Sequence, residues 1–392
     1  MQTFSTPPTI QVYGKNLELQ TEISSEVYEY FRYERNFRVN GAFTLHINKN
    51  HPKAPYLLAP DALAVVYYDG KKARAGIIET VECSISENGA AGETLIISGR
   101  EGGTLTERLA IAATGINTGY DVCSGDAESC MRYFVDRNCI NALDSAGKPA
   151  PNRKIPHLIL EPQDENRGEQ VAYSARFETV ADILETLGYA GGIGWEIIFD
   201  RASSAFVFSI LPGEDHTQGT SYPVILKPEW HTVESLSYMD DRVNSKTMVY
   251  IGGDGEAAER TVAQSYLGTA EPSGFERREF FVDASDSTTA EEIGTVALSE
   301  LQAHAPSLTI SAVAASSSQR YVYQTDYDLG DWVTVDYTGI ATIDIRIIGI
   351  VDEVVAGQRG SIRKITLHMG TEPADIRRIV KQHSRKTIEA RK

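Results

Sequence analysis

The stretch YQTDYDLGDWVTVDYTGIATIDIRIIGIVDEVVAGQRGSIRKITLHMG, from Tyr323 to Gly370, is β-structure entered through a run of negative charge, Asp326-Tyr327-Asp328-Leu329-Gly330-Asp331. Ile343, Ile345 and Ile347 alternate with Asp344 and Arg346, and Ile365, Leu367 and Met369 alternate with Lys364, Thr366 and His368. That is the period of half-buried strands. Asp328 to Asp331 suits a tight turn, because Gly330 tolerates positive φ and aspartate caps exposed backbone amides; Trp332, Val333 and Val335 then open a strand. The charge is thus expected to belong to the turn and to the surface beside it.

The same alternation is found near the start. Phe43, Leu45 and Ile47 share one face of a strand over Ala42 to Asn48. Asp69-Gly70 joins Val65-Val66-Tyr67-Tyr68 to Lys71-Lys72-Ala73-Arg74, and Asn88-Gly89 precedes Thr94 to Ile97, so two hairpins are expected. Residues 1–103 therefore read as an antiparallel β domain, expected as a small barrel. Between 104 and 232 the pattern is mixed. Thr104 with Glu107 predicts a capped helix continued by Leu105, Leu109 and Ala112, a second helix is expected over Ala127 to Cys139, and a third over Thr179 to Leu187 with Gly188 as its stop. Strands are expected near Trp195–Ile198 and Phe206–Ile210. From 233 to 370 strands return, with Met248 to Ile251 turning at Asp254-Gly255 and coming back through Val262. One helix, capped by Thr289 and Glu292 with Ile293, Val296, Ala297 and Leu301 inward, interrupts them. Residues 371–392 predict a terminal helix with Ile376, Ile379 and Val380 on one side. The fold class is α+β, mainly β: two β domains separated by a mixed α/β insertion, plus a C-terminal helix. The layout suggests a duplication, although no residue-level repeat joins the halves.

Composition narrows the function. With 392 residues, two or three domains, or one large domain with an insertion, are expected, and the ordinary apolar share of 42% permits sizeable cores. No window is apolar enough to span a membrane, and Met1 to Ile10 lacks the pattern of a secretion signal, which reads as a soluble, unprocessed chain. A net charge of −17 argues against gripping nucleic acid through its phosphates. The charge is uneven, since residues 371–392 hold seven basic side chains against three acidic ones. Cys83, Cys123, Cys130 and Cys139 are too sparse for a disulfide scaffold and lack zinc-knuckle spacing. Cys130 falls at helical spacing with Met131, Phe134 and Val135 and is expected in a core, and synthesis in a reducing compartment is inferred.

Motifs that suggest chemistry have plainer readings. Tyr238-Met239-Asp240-Asp241 resembles the metal-binding turn of reverse transcriptases, but so acidic a chain offers no template channel, and a strand end running into a solvated turn is expected. Gly252-Gly253-Asp254-Gly255 looks like a phosphate loop, yet it stands in a hairpin with no following lysine-serine pair. His216, after Glu214 and Asp215, is the best single candidate for proton or metal work, but it lacks a convergent constellation. No catalytic residue, cofactor or metal is expected.

The unit Asp326 to Val335, with Arg346-Ile347 and the closing hairpin, resembles the C-terminal part of siphophage tail hub proteins, the tail-associated or Tal-like family, which is similar to contractile-phage baseplate hubs and to VgrG. Gly41-Ala42-Phe43 and Ala75-Gly76-Ile77 resemble that family's first barrel, closed by Ile97-Ser98-Gly99-Arg100. Gly252 and Gly253 with Arg260, then Arg277 and Glu279, resemble the approach to the second. His216 stands where the family loop suggests arginine, and the cysteine-bearing helix near 123–139 is a departure. The resemblance implies two tube-like barrels in each subunit and a homotrimer presenting a pseudo-sixfold ring to a hexameric tail tube or distal tail protein. It also implies a tip, spike or fibre partner, location in the virion tail tip or baseplate after synthesis in the bacterial cytoplasm, and transient DNA passage through an acidic lumen. The implied structural residues are Gly41, Phe43, Gly76, Gly252, Gly253, Arg260, Arg277, Glu279, Asp326, Tyr327, Leu329, Gly330 and Asp331, with Ile376, Ile379 and Val380 as a docking face. An alternative is a host-surface glycan-binding tail protein using exposed aromatics among Tyr266, Tyr321, Tyr323, Tyr327 and Trp332; a weaker one is a tail-associated peptidase or wall hydrolase.

Overall fold

The computed structural model describes residues 7–370 apart from 60–62, 68–72, 84–92, 113–118, 164, 256–258, 286, 288, 306, 316–319, 338–340 and 357–360. The expected terminal helix with Ile376, Ile379 and Val380 lies outside the described residues, as do the turns at Asp69-Gly70 and Asn88-Gly89.

The backbone is organised by one long antiparallel ladder. From one end its strands run Leu19–Ile23, Thr9–Tyr13, Leu63–Tyr67, Ala73–Cys83, Thr94–Glu101, Ala42–Asn48 and Tyr28–Asn36. The order continues through Ala341–Val355, Ile362–Gly370, Ser307–Ala314 and Val233–Asp241. The join is the pairing of Tyr28–Asn36 with the second half of Ala341–Val355, from Gly349 opposite Asn36 to Val355 opposite Tyr30. The first half of that long strand pairs instead with Trp332–Tyr337, whose far edge takes Asp215–His216 and Ile225–Leu226 in parallel.

This corrects the expected pair of separate β-barrels: among the described residues the two β regions share one sheet, and no closed barrel is found. The reason is local. Tyr28–Asn36 has one edge taken by Ala42–Asn48, and its other edge bears unpaired backbone groups that the C-terminal strand satisfies.

Aromatic residues laid over glycines hold the first part together. Phe43, opposite Gly99, lies across Gly76 on the next strand. A Cβ at Gly76 would strike the Phe43 ring, and one at Gly99 would overlap the Ile77 carbonyl as well as that ring. Beneath them Tyr28, Phe31, Leu45, Ile47 and Ile97 form a continuous apolar cluster.

The middle region branches from this sheet. Gly194–Asp200 pairs with Ala205–Leu211 and, through Ile198 and Phe199, with Arg74 and Ala73. Helices Ala127–Val135 and Val180–Gly191 share its core, with Cys130, Met131, Phe134, Ile183, Leu184 and Leu187 fully buried. Thr179 caps the second of these helices by accepting from the Asp182 amide. The helix runs past Gly188 and stops at Gly192, which takes the left-handed conformation at φ 71°. The α-helix expected from Thr104 through Ala112 does not form. Gly102–Thr106 is a short 3-10 turn, and the chain beyond it pairs with the approach to the Thr179 cap: Ala110 N donates to Glu178 O, and Val180 N to Arg108 O. Pairing has overridden a local helix signal.

Residues 233–370 also hold a smaller unit. Between the paired strands Val233–Asp241 and Ser307–Ala314 stands a separate three-stranded sheet, Val262–Tyr266, Met248–Gly252 and Glu279–Asp283. The expected helix, Ala290–Ala303 with its Thr289/Glu292 capping box, shares an apolar cluster with this sheet through Val249, Ile251, Ala297 and Leu301.

The glycine packing gives a paired expectation. Gly99→Ala should lower stability by about 2 kcal/mol through forced backbone displacement. Gly294→Ala, at a helix position with no atom near the added methyl, should raise it by about 1 kcal/mol. Denaturant unfolding of the two variants beside the parent chain checks both signs.

Candidate interface around the acidic turn

The acidic turn is built by its own side chains. The Asp326 carboxylate accepts from Val322 N at 2.6 Å, and Asp331 accepts from Asp328 N at 2.7 Å and from Glu214 N at 2.8 Å. Asp331 thereby ties the turn to the neighbouring loop, and burial pushes its carboxyl upward against those hydrogen bonds. Gly330 (φ 96°) and Gly213 (φ 72°) meet back to back, because a Cβ on Gly213 would overlap the Gly330 carbonyl. Tyr327 and Leu329 point inward to the second core, with Val333, Ile345 and Ile347.

Asp328 accepts from Leu329 N at 2.7 Å and also reaches beyond the turn. It accepts from Arg35 Nη1 at 2.6 Å, while the same nitrogen donates to Tyr323 Oη at 2.8 Å and Arg35 Nη2 donates to Glu196 at 3.0 Å. Arg74 also pairs with Glu196. Arg35, Arg74 and Glu196 are almost wholly buried, and Asp328 lies at the mouth with its side chain 39% exposed. Glu101 borders this cluster, accepting from Gly41 N at 3.2 Å and Tyr33 Oη at 3.4 Å. Burial raises its carboxyl to about 7, against the pull of Arg35 and Arg74. Four separate segments of the chain meet in one charge network.

Phe37 stands next to it. A Cβ on Gly194 or Gly330 would run into its ring. Arg38 and Arg346 lie over that ring at 4.9 and 4.8 Å. Both arginines donate to the carbonyl end of the helix Val180–Gly191 and its exit: Arg38 Nε to Gly188 O at 3.1 Å, Arg346 Nη1 to Gly192 O at 2.7 Å. Burial, and then Arg38 nearby, brings Arg346 down to about 10.

The remaining candidates fall elsewhere. Gly252 and Gly253 turn beneath Arg260, which donates to both carbonyls, pairs with Asp283 and lies 5.5 Å from the Phe281 ring centre. Arg277 bridges Glu271, Glu279 and Tyr250. Both are ties within the small three-stranded unit, far in the topology from the acidic turn. Tyr238 to Asp241 end an edge strand, where Asp240 pairs with Arg242 and Asp241 accepts from Val243 N. His216 is held by the Tyr222 carbonyl at 3.2 Å and faces Glu214 and Asp331 at 3.5 and 3.8 Å. Tyr323 and Tyr327 are core residues, so the five aromatic rings do not line one open groove.

Sequence reasoning missed Arg35, Arg74, Glu196 and Phe37. A signal existed for one pair: Phe31, Tyr33, Arg35 and Phe37 follow a strict alternation, and an arginine in that series is a buried cation that needs a partner.

Two expectations follow. Arg35→Leu should cost about 3–5 kcal/mol, because it strands buried carboxylates, and Asp328→Asn should cost clearly less at its exposed mouth; chemical denaturation ranks them. Because the folded Glu101 carboxyl keeps its proton up to about 7, against an ordinary 4.5, the folded chain binds more protons than the unfolded one in that window. Stability therefore falls as pH rises through it. Glu101→Gln should flatten this decline in melting temperature between pH 5 and 7.5; parallel curves would remove Glu101 as the cause.

Comparison with known proteins agrees with this architecture. The chain shares its fold with prophage tail protein gp18 from Listeria monocytogenes EGD-e (TM-score 0.52, 13% identity, covering 96% of this chain and 98% of that one). It is also similar to a tail protein from Neisseria meningitidis MC58 (TM-score 0.55, 14% identity, 94% and 97% covered). A third relative in fold is the 43 kDa tail protein of prophage MuSo2 from Shewanella oneidensis (TM-score 0.51, 13% identity, 93% and 97% covered). No curated protein sequence matches. The family model of the Siphovirus ReqiPepy6 Gp37-like proteins matches residues 9–370, nearly the whole described chain, and the protein belongs to that family.

Proposed function

We propose that the protein is a structural hub of a phage tail or phage-derived tail-like particle, acting as a trimer that joins a hexameric tail tube or distal tail protein to a tip, spike or fibre. The observation that carries this reading is the open ladder. Among the described residues its end strands, Leu19–Ile23 and Val233–Asp241, each have one neighbour, so a second and third copy can continue the sheet strand by strand until it closes. Residues 1–103 and 233–370 would then supply two tube-like units from each copy, giving the pseudo-sixfold ring, with 104–232 outside it. Membership of a siphovirus family and a fold shared with tail proteins support the same reading.

In this reading the role is mechanical and not catalytic. The charged residues that the structure gathers are partnered with one another in the interior and serve to join strands. The net charge of −17 suits a lumen through which DNA slides without sticking. The basic segment 371–392 docks a neighbouring tail component through Ile376, Ile379 and Val380.

Light scattering on the purified chain, with negative-stain averages of the same peak, should give a trimeric mass and a ring with a central opening. A monomer at every concentration, and no ring on a tail-tube template, would overturn the reading. Deleting 371–392 should leave the trimer intact and abolish recruitment of the tip component; undiminished recruitment would reject that assignment.

A further inference from the structure

The helix Ala290–Ala303 faces two ways. One side closes the small three-stranded sheet, and the other lies on the middle region, where Ala172 N donates to Thr295 Oγ1 at 3.1 Å and Ser174 Oγ donates to Glu292. Beside these bonds the helix and the strands Asp121–Asp126 and Gln170–Ala175 leave a groove of about 570 Å³. Gly125, Ala172, Gly294 and Leu298 give it small or apolar walls, and among the described residues that line it Glu291 alone is charged.

Gly294 is the residue that the groove accounts for. Glycine weakens a helix interior, so its presence there calls for a reason. Gly76, Gly99 and Gly194 are demanded by rings or carbonyls that press on them. Gly294 has no atom within 4 Å of an added Cβ, and neither has Gly125 on the opposite wall. The missing side chain keeps the groove open while serving no described contact.

We propose that the groove seats the basic segment 371–392 of the same chain, with its apolar residues over Gly294 and Leu298 and a lysine at Glu291. Charge selects this occupant, since the segment holds seven basic side chains against three acidic ones in an otherwise acidic chain, and the groove offers a carboxylate without a cation in its lining. Reach agrees. Gly370 pairs with Thr309, and the backbone path from there through Ser307 and along the helix from Ala303 to Leu298 is no more than about 35 Å. About ten extended residues cover it, which brings Ile379 and Val380 to Leu298 and leaves Lys381 to Lys386 for Glu291, one further stretch of helix away. The inference rests on the reading of 371–392 as a docking element and adds its regulation: the groove holds the segment until a tip component competes for the same apolar face.

The test uses the full chain, purified without any other tail component and treated with a water-soluble carbodiimide, which joins a carboxylate directly to a lysine amine. The expected product joins Glu291, in the tryptic peptide Glu279–Arg320, to Lys381 or Lys386, with fragmentation placing the link. It should be found in the band of single-chain mass on a denaturing gel. Gly294→Leu fills the groove with a good helix former and should abolish the link, with circular dichroism confirming that the helix content is kept. Tail lysines linked only to other carboxylates, a Glu291 link found only at double mass, or a link that survives Gly294→Leu overturns the assignment. Trimer formation and recruitment of a tip component are read in separate measurements, so failure here is distinct from failure of the hub reading.

Discussion

Arg35 is a cation in the interior, and the placement of several distant segments follows from the need to neutralise it. Its guanidinium reaches Asp328 on the acidic turn, Tyr323 just before that turn, and Glu196 on a strand of the middle region, which in turn holds Arg74. A buried charge without partners costs several kcal/mol, so these segments are obliged to meet in one geometry. Such a network adds less net stability than an apolar core of equal volume would. What it supplies is register, because a strand shifted by one residue would turn Arg35 to the opposite face and leave its partners unmatched.

The ladder between Tyr28–Asn36 and Gly349–Val355 is held at its Arg35 end by this network, and a second device, built on an aromatic ring, sits beside it. Phe37 fills the space left by the missing side chains of Gly194 and Gly330, while Arg38 and Arg346 cross its ring and terminate a helix of the middle region. N-terminal strand, middle helix and C-terminal turn are thus fixed at one place. Under the hub role proposed above, a junction that couples all three regions would carry load from one partner to the next.

Much of this was legible from local pattern. Alternation located the strand at 42–48 and parts of those at 341–355 and 362–370, apolar spacing located the helix that begins after Thr179, and capping chemistry located the one after Thr289. The acidic turn was understood in part: Asp326, Asp328 and Asp331 accept from backbone amides as their type suggests, but Asp328 also serves an arginine almost 300 positions earlier, a partner that no local pattern names. Thr104 and Glu107 spelled a helix cap that the chain does not use, because the following residues find backbone partners at Glu178 and Val180.

The sequence by itself determined the acidic balance, the order of regions and those strands and helices that carry a clear period or cap, since these depend on residues within a short window; the strand Tyr28–Asn36, on which the joined sheet depends, was not among them. Tertiary structure alone decided that the two β regions merge into one sheet, that a small α/β unit stands between two paired strands, and which charges are buried together. The physical reason is the same in each case. Strand edges and buried ions are satisfied by whichever partner the folded chain brings near, and sequence distance sets no limit on where that partner is found.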